Sequence, residues 1–285
     1  MGETLAIVAS FCFAFSNVFN RRGLATSNAV TASLISLGMS AAALWALAPF
    51  FVSHWKVQTL AGFYFLSAGI FAPGLGRFFN FKGMERVGMA RAVSITNTYP
   101  MVASMLAVVI MGETWTLQNF LGTSLVVAGV VVLSWKETGQ SSWRKVDLIY
   151  PAMAAISFGI ASNLRKLGLL VDGVPVMGAA LTSTTGLLCG LLVLQLQGGK
   201  HRISLSRRSI GWFFAAGLAN TAAMLSVFYA LNSSKVVLVE PLVGANPVLA
   251  LILSMIFLRD LEAVTMRVVS GAVCTVAGSI LVVTA

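Results

Sequence analysis

The chain has 285 residues, of which 58% are hydrophobic and only 10% charged, and its mean hydropathy is +0.88. Water-soluble domains carry roughly 25% charged residues, so the composition excludes an ordinary soluble fold. The formal net charge of +10 does not indicate a nucleic-acid partner, because the basic residues lie mainly in short connections and form no long basic run. Anionic lipid headgroups account for them better, so we expect membrane lipid as a partner.

Ten apolar segments follow one another along the chain, most of them close to the roughly 20 residues that a membrane-spanning helix needs. They lack the polar–apolar alternation of membrane barrel strands. The predicted fold class is therefore all-α, a polytopic membrane protein of ten transmembrane helices. The segments are Leu5–Phe19, Ala29–Val52, Leu60–Phe79, Ala90–Met111, Thr116–Trp135, Val146–Leu164, Val176–Leu196, Ile210–Leu231, Val236–Leu258 and Ala263–Ala285.

The connections between these segments differ in charge on the two sides of the membrane. Only Lys56, Arg165, Lys166 and Lys235 of the 19 Lys and Arg residues fall on one side. The positive-inside rule assigns the other, richer side to the cytoplasm. We therefore expect a bacterial inner-membrane protein with both termini outside.

The second half of the chain repeats the first. Pro100 stands thirteen residues before Glu113, and Pro247 stands thirteen residues before Asp260. We predict two five-helix repeats, residues 1–137 and 146–285, joined by a linker at 138–145. Since five is an odd number, the second repeat enters the membrane from the opposite side, an arrangement that supports alternating access around a site near the midplane.

Two stretches carry a family resemblance: FNFKGMERVGMARAVSITNTYPMVASMLAVVIMGE and FYALNSSKVVLVEPLVGANPVLALILSMIFLRD. Their order and duplication resemble a ten-helix, EamA-type member of the drug/metabolite transporter superfamily. The resemblance implies alternating-access transport, often outward, of a small polar or amphipathic metabolite such as an amino acid, a related zwitterion or an organic anion. It also implies a central cavity lined by the first, third, fourth, sixth, eighth and ninth segments. Separately, no cofactor or metal is expected, because the sequence has no Asp/His/Cys cluster with metal-ligand spacing. The oligomeric state is left open between monomer and homodimer.

Small multidrug-resistance relatives carry a membrane-embedded glutamate in the first helix, and Leu5–Phe19 has none. A small drug or cation exporter is therefore the alternative rather than the first expectation. An intramembrane enzyme or a non-transporting receptor is less favoured still, because the two histidines, His54 and His201, lie in separate loops and no catalytic motif is present.

Two charged residues inside apolar segments are the first candidates for a binding site, because an ionised side chain in the membrane is costly. Glu240 either binds an ammonium group or a coupling proton, or sits near its helix start beside Lys235. Arg77 either clamps an anionic group or snorkels to the headgroups. Arg77 favours an anionic substrate, Glu240 a cationic one, and both together a zwitterion.

Further candidates are polar residues and helix breakers inside the segments. Each polar residue could instead be a packing or capping residue with no contact to substrate. For Asn17 and Asn163 this alternative is a cap at the end of a helix. The predicted substrate-binding set is Asn17, Arg77, Asn97, Tyr99, Asn220, Tyr229, Glu240 and Asn246. The predicted hinge or kink residues are Pro73, Gly74, Gly76, Pro100 and Pro247, where the prolines would free backbone carbonyls near Thr96 and Val243 for substrate.

The remaining candidates concern packing and capping. The seven-residue spacing of Gly122 with Gly129 and of Gly271 with Gly278 predicts close helix packing. It resembles the glycine pattern through which the last helix of small multidrug-resistance proteins packs a dimer. Glu113 and Asp260 are expected to cap the fifth and tenth helices.

Overall fold

The computed structural model describes residues 1–52, 55, 57–87, 89–134, 144–196, 206–257 and 266–285, and every regular element in them is helical. The predicted linker lies almost wholly outside the described residues, as does Asp260. The α-helices are α1 Gly2–Leu24, α2 Ala29–Phe51, α3 Thr59–Gly69, α4 Gly76–Val87, α5 Met89–Thr96, α6 Tyr99–Met111, α7 Leu117–Ser134, α8 Ile149–Val171, α9 Pro175–Leu196, α10 Arg207–Ser233, α11 Val236–Gly244, α12 Asn246–Phe257 and α13 Met266–Val283. A π-helical segment, Ile70–Leu75, joins α3 to α4, and a 3₁₀ turn, Lys145–Leu148, precedes α8.

Seven stretches among the described residues are helices long and apolar enough to cross a membrane. They are Gly2–Leu24, Thr31–Phe51, Thr59–Val87, Ala92–Met111, Lys145–Val171, Pro175–Gln195 and Arg207–Ser233. Three shorter apolar helices, Leu117–Val132, Val236–Ala250 and Val269–Val283, occupy the fifth, ninth and tenth predicted segments. The polytopic, all-helical class is confirmed.

Three of the apolar stretches are interrupted helices. Between α3 and α4, Ala72 leaves the helical region at φ −146° and ψ 115°, directly before Pro73. A proline inside a helix removes a hydrogen-bond donor and clashes with the preceding turn. The chain also stops being helical between α5 and α6, just before Pro100, and at Ala245 between α11 and α12, just before Pro247. Both prolines then occupy the first turn of the following helix, where the missing N–H costs nothing.

Glycines let α7 and α13 approach backbone to backbone. A Cβ atom built on Gly129 would lie 2.6 Å from the carbonyl oxygen of Gly271, and one on Gly278 would lie 2.6 Å from the carbonyl oxygen of Gly122. Only hydrogen fits at these positions. The four glycines predicted as packing residues therefore meet one another within a single chain, at the contact between the last helix of each predicted repeat.

Hydrogen bonds tie the two halves of the chain together at the end of the bundle that holds the N-terminus. Ser234 donates to Glu3 at 3.1 Å, the backbone N–H of Gln58 donates to Asp172 at 3.0 Å, and Lys235 donates to Thr114 at 2.6 Å. We call these three contacts the N-terminal lock. Below it lies a core of small and aromatic side chains in which the Phe65 and Phe228 rings pack with centroids 5.9 Å apart.

Candidate functional site

A cavity of about 290 Å³ opens between the two halves, below the N-terminal lock. The first half of the chain contributes lining side chains from α1, α2, the π-helical segment, helices α4 to α6 and the residues just before α6, and the second half contributes them from α8 to α12. Helices α7 and α13 contribute none of the lining residues, which are Phe13, Asn17, Leu37, Ala72, Pro73, Arg77, Asn80, Thr96, Asn97, Tyr99, Phe158, Ser162, Arg165, Ser183, Asn220, Met224, Val227, Glu240, Val243 and Asn246.

Glu240 is the acidic residue of the cavity. Only 2% of it is exposed, and its carboxylate accepts a hydrogen bond from the hydroxyl of Ser162 on α8. Tyr99 and Arg165 are the other polar groups beside this carboxylate. The contact with Lys235 considered from the sequence is not formed, because the Lys235 ammonium donates to Thr114 instead. Glu240 therefore faces the cavity rather than the helix start.

Arg165 is a cavity residue that the sequence analysis assigned to a connection. The sixth segment was expected to end at Leu164, but α8 continues to Val171 and carries Arg165 into the protein. Its Nη2 donates to the carbonyl oxygen of Ala72 at 3.1 Å, and its guanidinium lies 5.9 Å from the centre of the Phe228 ring. Its buried Nε has no hydrogen-bond partner. The apolar run Leu167–Val171 after the charges was the available signal that the helix continues.

Arg77 lines the cavity, and its guanidinium donates to the hydroxyl of Ser33 on α2. This position fits the anion clamp better than the headgroup anchor. Nearby, Thr96 donates to the side chain of Asn80 at 3.0 Å, which joins α4 to the end of α5. Neither Asn80 nor Thr96 belonged to the predicted binding set.

Three asparagines form polar contacts around the cavity. Asn17 on α1 donates to the side-chain oxygen of Asn246 at 3.3 Å, and Asn246 donates to the carbonyl oxygen of Val243 at 3.0 Å. The Val243 carbonyl, expected to be free for substrate, is therefore already bonded. Asn220 on α10 donates to the hydroxyl of Ser40 at 3.1 Å. Asn17 lies inside α1, which continues to Leu24, so it is not a helix-end cap.

The two tyrosines of the predicted set occupy different places. Tyr99 lines the cavity and packs edge-on against Phe158 with ring centroids 6.0 Å apart. Tyr229 does not line it and is 36% exposed. It follows Asn220 by nine residues, about two and a half turns at 3.6 residues per turn, so it lies on the opposite face of α10.

Two further expectations change with the structure. Asn163 is buried within α8 and donates to the carbonyl oxygens of Ala103 and Gly159, so it packs helices together rather than capping one. Glu113 does not cap the helix that follows it. Its carboxylate accepts from the backbone N–H groups of Val236 and Val237 and so caps α11 in the other half.

The cavity can bind opposite charges at the same time. It holds a carboxylate and two guanidinium groups among aromatic and aliphatic side chains. In the part of the chain that the structure describes, none of these three groups forms a direct ion pair with another. A ligand with complementary charges would supply the partners that buried charges need.

The chain is similar to a family of transporters along most of its length. The model of the EamA-like transporter family matches it twice, over residues 1–135 and 148–284. A protein of Archaeoglobus fulgidus described as an uncharacterized transporter is 26% identical over 273 residues, which cover 94% of this chain and 92% of that protein. A protein of known crystal structure has a similar fold, with a TM-score of 0.82 and 15% identity over 99% of this chain and 97% of the other. At that identity the likeness concerns the fold alone.

Proposed function

The chain belongs to the EamA-like transporter family, and on this premise we propose that it carries a small amino acid or related zwitterion across the membrane by alternating access. The observation that carries the proposal is the buried Glu240 carboxylate, which lies beside the Arg165 guanidinium in a cavity between the two halves. A carboxylate binds an ammonium group and a guanidinium binds a carboxylate. The cavity therefore offers one partner for each end of a zwitterion.

The proposed architecture has ten membrane-spanning helices in two inverted repeats. Support comes from the two family-model matches and from the three shorter apolar helices, which together with the seven longer ones would make ten spans. The interruptions at Pro100 and Pro247 lie at corresponding places in the two halves and both border the cavity. Interrupted helices around a central site are typical of inverted-repeat carriers.

Alternating access requires that the N-terminal lock opens. Its contacts join Glu3, Gln58 and Thr114 of the first half to residues of the second. They close that end of the bundle above the cavity. The proposed second state breaks these bonds and closes the opposite end, with Pro73, Gly74 and Gly76 at the interruption of the third span acting as a hinge.

The proposed direction is export from the cytoplasm, with both termini outside and the protein in a bacterial inner membrane. The distribution of Lys and Arg among the connections supports this orientation. In this orientation the N-terminal lock would face the outside and would close the cavity on that side.

A small drug or cation exporter is the second candidate. Glu240 is the feature that favours it, because a buried carboxylate can bind a cation. Two guanidinium groups in the same cavity disfavour it, since each would repel a cationic drug. Glu3, the acidic residue of α1, bonds to Ser234 at the end of the bundle, outside the cavity.

Counterflow in proteoliposomes tests the proposal. Vesicles that contain the protein and are loaded with an unlabelled amino acid should accumulate the same amino acid in labelled form from outside. Vesicles prepared without the protein should not. A panel of zwitterionic, cationic and anionic metabolites separates the candidates. Accumulation of lipophilic cations alone would support the drug exporter, and no flux of any metabolite would contradict transport through this cavity.

A further inference from the structure

The cavity carries more positive than negative charge. Its ionisable lining residues of definite charge are Arg77, Arg165 and Glu240, two cations and one anion. Neither arginine has a carboxylate partner among the described residues: Arg77 donates to a hydroxyl and Arg165 to a backbone carbonyl. A zwitterion with one carboxylate would satisfy Glu240 and one guanidinium, and would leave the second, half-buried guanidinium without an anion.

A charge that is partly removed from water and left unpaired carries a free-energy cost, and this cost falls when a ligand supplies the opposite charge. Each guanidinium has five N–H donors in a planar fork. Ser33 and Ala72 each accept from one of these forks, so donors remain for a ligand on both. On Arg165 the Nε is buried and unpartnered.

We propose that the substrate is a net-negative molecule with one ammonium group and two anionic groups, in which Arg165 and Arg77 each bind one anionic group beside the ammonium site of Glu240. This inference rests on the proposed carrier function and narrows its substrate class. Acidic amino acids and O-phosphorylated amino acids share the required chemistry.

The placement of the three residues orients such a molecule. Arg165 flanks the Glu240 carboxylate, so these two groups bind the amino and carboxylate ends of one amino-acid head. Arg165 contacts the carbonyl oxygen of Ala72. Arg77 lies five residues after Ala72 in the same apolar stretch, on α4. The second anionic group of the substrate therefore lies on the side of the cavity formed by α4.

The experiment compares L-glutamate, L-glutamine, 2-oxoglutarate and L-phosphoserine as ligands of the purified protein, by thermal stabilisation and by counterflow. L-Glutamine has the same shape as L-glutamate without the second charge, and 2-oxoglutarate lacks the ammonium group. We expect L-glutamate or L-phosphoserine to bind at least about tenfold more tightly than either L-glutamine or 2-oxoglutarate. Which of the two binds better distinguishes a carboxylate from a phosphate as the second anion.

Arg77→Met should abolish the preference for L-glutamate over L-glutamine, with L-glutamate losing more affinity than L-glutamine, and Arg77→Lys should restore part of the preference. Retention of the full preference by Arg77→Met would contradict the role of Arg77. The lysine variant retains the charge, so its preference shows how much the charge alone supplies. Equal binding of L-glutamine and L-glutamate by the wild type would overturn the proposed net-negative substrate class. The broader proposal, that the protein carries a zwitterion, would be unaffected. No binding or flux of any amino acid in the panel would overturn both.

Discussion

The carboxylate of Glu113 accepts a hydrogen bond from the backbone N–H of Val236 at 2.9 Å, and a second from the next residue at 3.0 Å. An acidic residue that follows α6 thus caps the N-terminus of α11, the helix that holds Glu240. Negative charge at a helix N-terminus is favourable because it complements the helix dipole. The cap ties the first half of the chain to the helix that lines the cavity in the second half.

Replacing Glu113 with Ala should destabilise the protein. Two backbone donors lose their acceptor, and loss of an N-terminal cap costs about 0.5–2 kcal/mol. Thermal unfolding in detergent measures the effect as a lower Tm. The control is Glu85→Ala, which removes an exposed ion pair with Lys82 that contributes little. Equal Tm values for the two variants would contradict the capping role.

Crosslinking the N-terminal lock should stop turnover. Glu3 and Ser234 are hydrogen-bonded across the two halves. In a background without Cys12, Cys189 and Cys274, cysteines at both positions can therefore be joined by a short bis-methanethiosulfonate reagent, which forms a reducible disulfide with each thiol. We expect the crosslinked protein to lose counterflow and to recover it after reduction. Each single cysteine variant treated with the same reagent is the control. Full activity of the crosslinked protein would show that this end does not open.

Glu240→Gln should separate coupling from substrate exchange. Glutamine can still accept the Ser162 hydrogen bond, so the fold is retained, but it cannot bind and release a proton. If Glu240 carries the coupling proton, uptake driven by a pH gradient falls to the background. Exchange of substrate for substrate persists, but it needs a higher substrate concentration because the ammonium group has lost its charged partner. Transport in liposomes with and without the gradient measures both. Ser162→Ala, which retains the carboxylate, should keep gradient-driven uptake; gradient-driven uptake by Glu240→Gln would rule out the coupling role.

Gly129→Ala should destabilise the packing of α7 on α13. The added methyl group would meet the Gly271 carbonyl oxygen and the Thr275 N atom, each at 2.6 Å, and these backbone atoms can move only with their helix. Gly38→Ala is the matched control, because nothing lies within 4 Å of its added Cβ. Alanine favours the helix there by roughly 0.5–1 kcal/mol. We expect a lower Tm for the first variant and an unchanged or higher Tm for the second.

The apolar segments could be predicted because hydropathy alone identifies a membrane helix. The end of the sixth segment was placed too early, because the charged residue after Leu164 was taken as the end of the helix. This interpretation placed Arg165 outside the membrane. In the structure α8 continues for six residues beyond Arg165. The guanidinium donates to the carbonyl oxygen of Ala72, which lies at the helix interruption before Pro73. The partner of Arg165 is 93 residues away in the chain, and no local pattern indicates such a contact.

The substrate-binding residues predicted at helix interruptions all line the cavity, whereas one of the two predicted on the continuous helix α10 does not. Asn97, Tyr99 and Asn246 lie at the helix breaks and all line the cavity. Tyr229 lies on the uninterrupted α10, where only the face shared by Asn220 and Met224 reaches the cavity. The helical register, counted from a residue known to face inward, would have excluded Tyr229, but the sequence does not show which face is inward.

The charged lining residues Glu240 and Arg165 have no charged counterparts in the first half of the chain. At the offset set by Pro100 and Pro247, Glu240 corresponds to Val93, and at the offset of the two Ser-Asn pairs, Arg165 corresponds to Phe19. Two identical copies assembled as a homodimer would present every charge twice, and a ligand could then bind in two equivalent poses. Different residues at these positions in one polypeptide remove that degeneracy, so the charges around the cavity are arranged asymmetrically, as the proposed binding of an asymmetric substrate in a single pose requires.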